Sequence, residues 1–235
     1  MTLLDRYLSG EHKLVYDEIL ALGDTAFNRK TYPDVEAVLV ETFRRVSYNL
    51  DIIYKNLLAI HYNFKKDCKY DFEKPLLKPA AKVEKLLGRL DKTVKRKGHV
   101  PISLKCFYRA IGACNFGWDY DSDDNIPWEG ADPIQICPLN DLLEEMLSDD
   151  EIEELGLSAD YLIKDNISGG PQYSLEITKA QSVDGKFLNE EHDTTFIDFL
   201  RITFDNCGFS RASEVAALPD FAKFYADTKP LLLRI

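Results

Sequence analysis

Apolar residues between positions 35 and 57 recur at spacings of three and four: Val35, Val38, Leu39, Phe43, Val46, Leu50, Ile53, Tyr54 and Leu57. That period predicts one amphipathic helix from about Pro33 to about Ala59, roughly 40 Å long at about 1.5 Å per residue. Thr31 is its expected N-cap. Upstream, Glu11 to Leu22 places Leu14, Val15, Ile19 and Leu22 on one side and meets Gly23 as a C-cap. A stripe as long as that of the 33–59 helix needs a neighbour, and the 11–22 helix is the nearest candidate for an antiparallel hairpin. Helical spacing resumes at Ala80 with Val83, Leu86, Leu87, Leu90 and Val94, and stops at Gly98. Ser103 fits the N-cap of a further helix that carries Leu104, Phe107, Tyr108 and Ile111.

Past a loop rich in Asp the period changes. Pro133 to Cys137 alternates as a strand does, Leu139 to Leu147 reads as a helix, and Tyr161–Ile163 and Tyr173–Ile177 read as strands joined by a turn-rich stretch. Thr194 or Thr195 opens a helix with Phe196, Ile197, Phe199, Leu200, Ile202 and Phe204, closed by Gly208. A short helix begins at Pro219, and the final LLLRI is expected to pack. The predicted class is α+β: a helical N-terminal hairpin over 1–66, a linker or seam at 67–79 around Pro75 and Pro79, and a mixed helix and antiparallel-sheet domain over 80–235.

Composition adds little until charge is mapped. The chain holds 45% hydrophobic and 29% charged residues, which suits a packed core and argues against disorder. The N-terminus has no signal-like pattern and no stretch approaches about 18 apolar residues, so a cytoplasmic protein without a membrane span is expected. Cys68, Cys106, Cys114, Cys137 and Cys207 form no CxxC pair and read as reduced, packed thiols.

The net charge of −11 is unevenly distributed. Residues 110–163 contain fifteen carboxylates and no Lys or Arg, whereas 74–109 contain eleven basic residues and two acids. This field disfavours nucleic acid at the acidic end and steers a basic partner there.

Sequence offers little for catalysis. Asp119-x-Asp121-x-Asp123 has the start of a calcium loop, but Asp124 stands where Gly is needed and Gly130 where the bidentate Glu belongs. A solvated acidic loop is the simpler reading. His12, His61 and His192 form no HxxxH or HExxH spacing, though a metal trio of the three is one way to bring them together. There is no G-x-S-x-G elbow, Ser168-Gly169-Gly170 reads as a turn, and the lysines of 82–97 read as the solvated face of a helix. No cofactor is expected.

At HVPISLKCFYRAIGACNF, Pro101, Leu104, Phe107, Tyr108, Gly112 and Asn115 fill a pattern that resembles the SUKH superfamily, whose bacterial members are often immunity proteins against secreted toxins. The resemblance covers roughly 80–138 and implies an α+β fold and a toxin as partner. The chain is also similar to a set of bacterial proteins of unassigned function, through Thr195, Phe196, Phe199, Leu200, Arg201, Phe204, Gly208 and Phe209.

Three readings follow. The leading one is a non-enzymatic binding module whose acidic surface engages a basic protein, a toxin if the resemblance holds. Its expected contact residues are Asp119, Asp121, Asp123, Asp124, Glu129, Glu144 and Glu145, with Trp118, Tyr120 and Trp128 as anchors or, equally, as core. The second is a metal-dependent enzyme using the Asp119–Asp124 loop. The third is an assembly protein that forms a homodimer through the long helix.

Overall fold

The computed structural model describes residues 1–65, 72–119, 128–148, 153–159 and 170–235. Among them it holds eight α-helices and two small antiparallel sheets, an α+β fold. Helices α1 (Leu3–Leu8), α2 (His12–Ala21) and α3 (Tyr32–Ala59) precede strand β1 (Leu76–Leu77). Then come α4 (Val83–Val94), α5 (Ile102–Ala110), β2 (Ala113–Asn115), β3 (Gln135–Ile136) and α6 (Leu139–Ser148). Strands β4 (Glu154–Ser158), β5 (Tyr173–Glu176) and β6 (Phe187–Leu188), then α7 (Phe196–Asp205) and α8 (Pro219–Thr228), complete the order.

The three-and-four spacing forms the predicted 28-residue α3, with Pro in its first turn where no intrahelical donor is lost. Val35, Val38, Leu39, Phe43, Val46, Leu50, Ile53 and Leu57 are all buried. The stripe is shared among more partners than the expected hairpin. α3 packs on α1, α5 and α8, and the Asp34 carboxylate at its start accepts from the Leu3 and Leu4 N–H groups at 2.7 and 3.2 Å. On α2 the inward residues are Val15, Tyr16 and Ile19, while Leu14 is 64% exposed.

Helices of the first third share one interior with the rest of the chain. Phe43 of α3 meets Phe107 of α5 and Phe196 of α7 at ring distances of 6.4 and 6.5 Å. Within the stretch expected as a linker, Leu76 and Leu77 pair with Cys114 and Ala113, so β1 is the edge of the first sheet, ordered β1-β2-β3. Residues 66–71 of that stretch lie outside the described residues. Gly112 permits the approach of the two chains: a Cβ there would sit 2.1 Å from the Lys78 carbonyl oxygen. The second sheet, ordered β4-β5-β6, joins the first where the Cys137 N–H donates to the Leu157 carbonyl at 2.8 Å. The strand expected at Tyr161–Ile163 lies outside the described residues; β5, within the expected Tyr173–Ile177, pairs with β4 and β6. The tail packs as expected: Asn49 both donates to the Leu233 carbonyl and accepts from its N–H, at 2.8 Å each. Among the described residues, no helix is long and apolar enough to cross a membrane.

Candidate functional site

The acidic stretch divides between two settings. In the first, the chain from Phe116 to Asp119 runs beside Tyr62–Lys65: the Lys65 N–H donates to Gly117 at 2.7 Å and the Asp119 N–H to Asn63 at 2.8 Å. Asp119 is buried there. Trp118 is half-buried with its ring 5.0 Å from Tyr62, and its buried Nε1 has no acceptor among the described residues. Trp128, expected as an anchor or as core, belongs to the core. It is 4% exposed and packs within 5.0–5.5 Å of Tyr62, Phe209, Phe221 and Phe224. Its indole N–H donates to Asp220 at 3.3 Å, as a buried Trp generally requires. Neither Asp119 nor Trp128 is therefore available to a partner. Glu129 is exposed and its neighbour Gly130 faces Glu214. Tyr120, Asp121, Asp123 and Asp124 lie outside the described residues.

The second setting is α6 with β4. Leu139, Leu142, Leu143 and Met146 fix α6 to the core. Its outer face then presents Glu144, with Leu147 56% exposed beside it. Glu145 reaches over β4: a Cβ built on Gly156 would lie 3.4 Å from its carboxylate. Glu153 is exposed at the entry to β4, and Glu154 accepts from Asn189 at 3.5 Å. This face brings together two predicted residues, Glu144 and Glu145, with two acids that were not singled out.

The histidines do not converge. His12 packs edge-on against Tyr7 at 4.8 Å, His192 lies 3.2 Å from the Ser210 carbonyl, and His61 ends α3 with φ 58°. Among the described residues no three His, Cys, Asp or Glu side chains are grouped to hold a metal. Cys106, Cys114, Cys137 and Cys207 are buried free thiols; Cys68 lies outside the described residues. Burial pushes the Cys106 thiol up to about 11 and the Cys207 thiol up to about 12, so neither is a nucleophile near neutrality.

The most elaborate polar cluster is one that the sequence concealed. Backbone 182–185 closes the amino ends of two helices: Ile102 and Ser103 N–H of α5 donate to the Ser182 and Val183 carbonyls, and Phe196 N–H of α7 to Gly185. Asp184 sits between these ends and is buried. Its Oδ1 accepts from the Ser103 hydroxyl at 2.6 Å and the Gly185 N–H at 3.0 Å. Its Oδ2 accepts from the Tyr16 hydroxyl at 2.6 Å and the Ile197 N–H at 2.9 Å. Tyr16 also shares a hydrogen bond with Thr195, the predicted N-cap of α7. Ser103, expected as the N-cap of α5, is thus a donor to Asp184 as the second residue of the helix, Pro101 being the N-cap. Burial raises the Asp184 carboxyl above the usual range against the pull of these four donors, and burial with the adjacent carboxylate raises the Tyr16 phenol. With every oxygen engaged between packed helices, this cluster joins α2, α5 and α7; it is a structural centre.

The chain matches no protein-family model, no curated protein and no solved structure.

Proposed function

We propose that this chain is a non-enzymatic protein-binding module that receives a basic partner on the face formed by α6 and β4. The supporting observation is one of unsatisfied charge. Glu144 and Glu153 are exposed and enter no ion pair or hydrogen bond among the described residues. Several carboxylates elsewhere are engaged: Glu11 and Glu18 with Arg6, Glu41 with Arg44 and Arg45, Asp198 with Arg201, and Asp205 with Lys229, whereas Asp24, Glu73 and Glu176 are exposed singly on other segments. Two unpaired like charges, one on a helix fixed to the core and one at the entry to β4, speed encounter with an oppositely charged surface, and the exposed Leu147 beside Glu144 adds apolar contact. The SUKH-like pattern between residues 80 and 138 supports a finer reading, in which the partner is a toxin and binding blocks it.

A photo-crosslinking side chain at position 144, with one at position 85 as control, tests this in the native host. The expected product at 144 is an adduct with a basic protein. It should fade as salt is raised and vanish in the variant Glu144→Lys/Glu153→Lys. No adduct at 144, or the same adduct from both positions, overturns the reading.

A further inference from the structure

A second charged feature lies away from the acidic face. The start of α2, the C-terminal half of α7 and the tail from Lys229 onward enclose a cleft of about 580 Å3. Its cations come from three separate segments: Lys13 on α2, Arg201 on α7, and Lys229 and Arg234 on the tail. Asp205 is the one acidic side chain among the lining residues, and Lys229 holds it at 2.6 Å. Phe204, Leu232 and Ile235 supply an apolar floor.

Several donors facing this cleft are unspent. Arg201 is fixed with its guanidinium 4.3 Å above the Tyr16 ring. It gives Nε to the Ile235 carbonyl oxygen at 2.9 Å and Nη1 to Asp198 at 2.7 Å, leaving Nη2 without an acceptor among the described residues. Arg234 is exposed and its side chain enters no ion pair there. Lys13 shares its charge with Asp17 on α2 and, at 3.9 Å, with the Asp198 carboxylate that also holds Arg201. The Arg45 guanidinium stands 2.7 Å from His12 Nε2, and a guanidinium only donates, so Nε2 accepts and the imidazole proton rests on Nδ1. Burial, then the positive charges of Arg45, Arg201 and Arg234, keep His12 neutral by lowering its pKa. Finally, α2 begins with no side-chain cap on its leading N–H groups, its N-cap residue Glu11 being turned to Arg6.

We propose that this cleft binds a small organic anion, its carboxylate or phosphate head held by Lys13, Arg201 and Arg234 and its apolar body laid on Phe204 and Leu232. The size falls within the range of roughly 300–1,000 Å3 typical of small-molecule sites, and the cationic lining sets the charge such a ligand would carry. The site makes no use of α6 or β4 and stands or falls independently of the partner-binding face.

The test follows the His12 Cε1–H resonance of the full chain, assigned by its loss in His12→Gln, during titration with phenyl phosphate, benzoate and benzyl alcohol. A saturable shift with either aryl anion and none with the neutral alcohol is the expected result. Arg234→Ala and Lys13→Ala alter only exposed side chains and should each weaken binding about tenfold, the equivalent of about 1.4 kcal/mol for one charge-assisted contact. No saturable shift with either anion, an equal response to benzyl alcohol, or unchanged affinity in both variants overturns the proposal.

Discussion

Replacing Asp184 by Asn removes one charge and changes the volume hardly at all, so it isolates what the buried carboxylate contributes. One oxygen becomes an NH2 group facing donors. If Oδ1 survives as the amide oxygen, the bonds from Ser103 and Gly185 remain, and the Tyr16 hydroxyl can turn wholly to Thr195. The Ile197 N–H is then left against another donor at the amino end of α7. Two bonds to a charged acceptor, at about 1.5–3 kcal/mol each, are lost, and relief of the buried charge returns part of this, so a net loss of about 2–4 kcal/mol is expected. That is a large share of the roughly 5–15 kcal/mol that ordinarily separates folded from unfolded domains.

Urea unfolding followed by tryptophan fluorescence measures it, with an unchanged slope excluding a looser native state. The pH dependence supplies a second, independent check. Because burial raises the folded carboxyl above its ordinary value of 3.8, the native state holds its proton at higher pH than the unfolded chain does. Its favourable contribution is therefore fully present below the ordinary value and is lost as pH rises through the raised one. The stability gap between the parent and Asp184→Asn should widen on acidification. A double-mutant cycle with Ser103→Ala should show coupling of about 0.5–3 kcal/mol, as for residues in one network. A variant within about 0.5 kcal/mol of the parent, or a gap that narrows as pH falls, refutes the account.

Three further perturbations address other parts of the molecule. Trp128→Ala should cost about 3–5 kcal/mol in urea unfolding, as for large aromatic truncations in a core, and a loss below about 1 kcal/mol would return Trp128 to the surface. Glu41 is held down to about 2 by Arg44 and then Arg45, so its contribution is present above its ordinary 4.5 and is lost as pH falls through about 2. The gap between parent and Glu41→Gln should accordingly close over that window, the opposite slope to Asp184, and a gap that stays constant or widens refutes the pairing. Cys106 and Cys207 should resist a disulfide exchange reagent at mildly alkaline pH until urea unfolds the chain, with mass spectrometry locating the label; prompt labelling of either in the native protein contradicts its burial.

Where burial imposes a period, the sequence was legible. α3 was readable from end to end because its stripe is continuous and a single slip would expose Leu50 or Ile53, which are fully buried. The same stripe misled as a dimer surface, since its spacing says that it is covered and not by what; α1, α5 and α8 cover it from within the chain. Strands β1 and β6 have two residues each, too few for any alternation to register, whereas β3 lies inside the alternating Pro133–Cys137. Asp184 was invisible for another reason. Asp-Gly in Val183-Asp184-Gly185 is ordinary turn chemistry, and the partners that make it a hub are 168 residues away at Tyr16 and 81 away at Ser103. Within the acidic stretch Glu144 is exposed and Asp119 is buried, because charge density along a chain carries no information on which side chains the core will claim.

That distinction bears on how the net charge of −11 is to be used. Helices α4 and α6 pack against each other, yet their outer faces carry opposite signs. The two acids of α4, Glu84 and Asp91, are held by Arg109 and Lys105 of α5 at 2.7 and 2.6 Å. Lys85, Arg89 and Lys92 are thereby left exposed and without ion pairs among the described residues, one helix away from Glu144. A partner approaching this region meets a dipole, not a uniform negative field, and is turned before it docks. Orientation of this kind acts on the association rate and is screened beyond roughly 8–10 Å at physiological salt, so it cannot by itself supply affinity. Selectivity would then lie in the sign pattern across the two helices: a uniformly basic surface laid over both would be repelled by α4 as strongly as α6 attracts it.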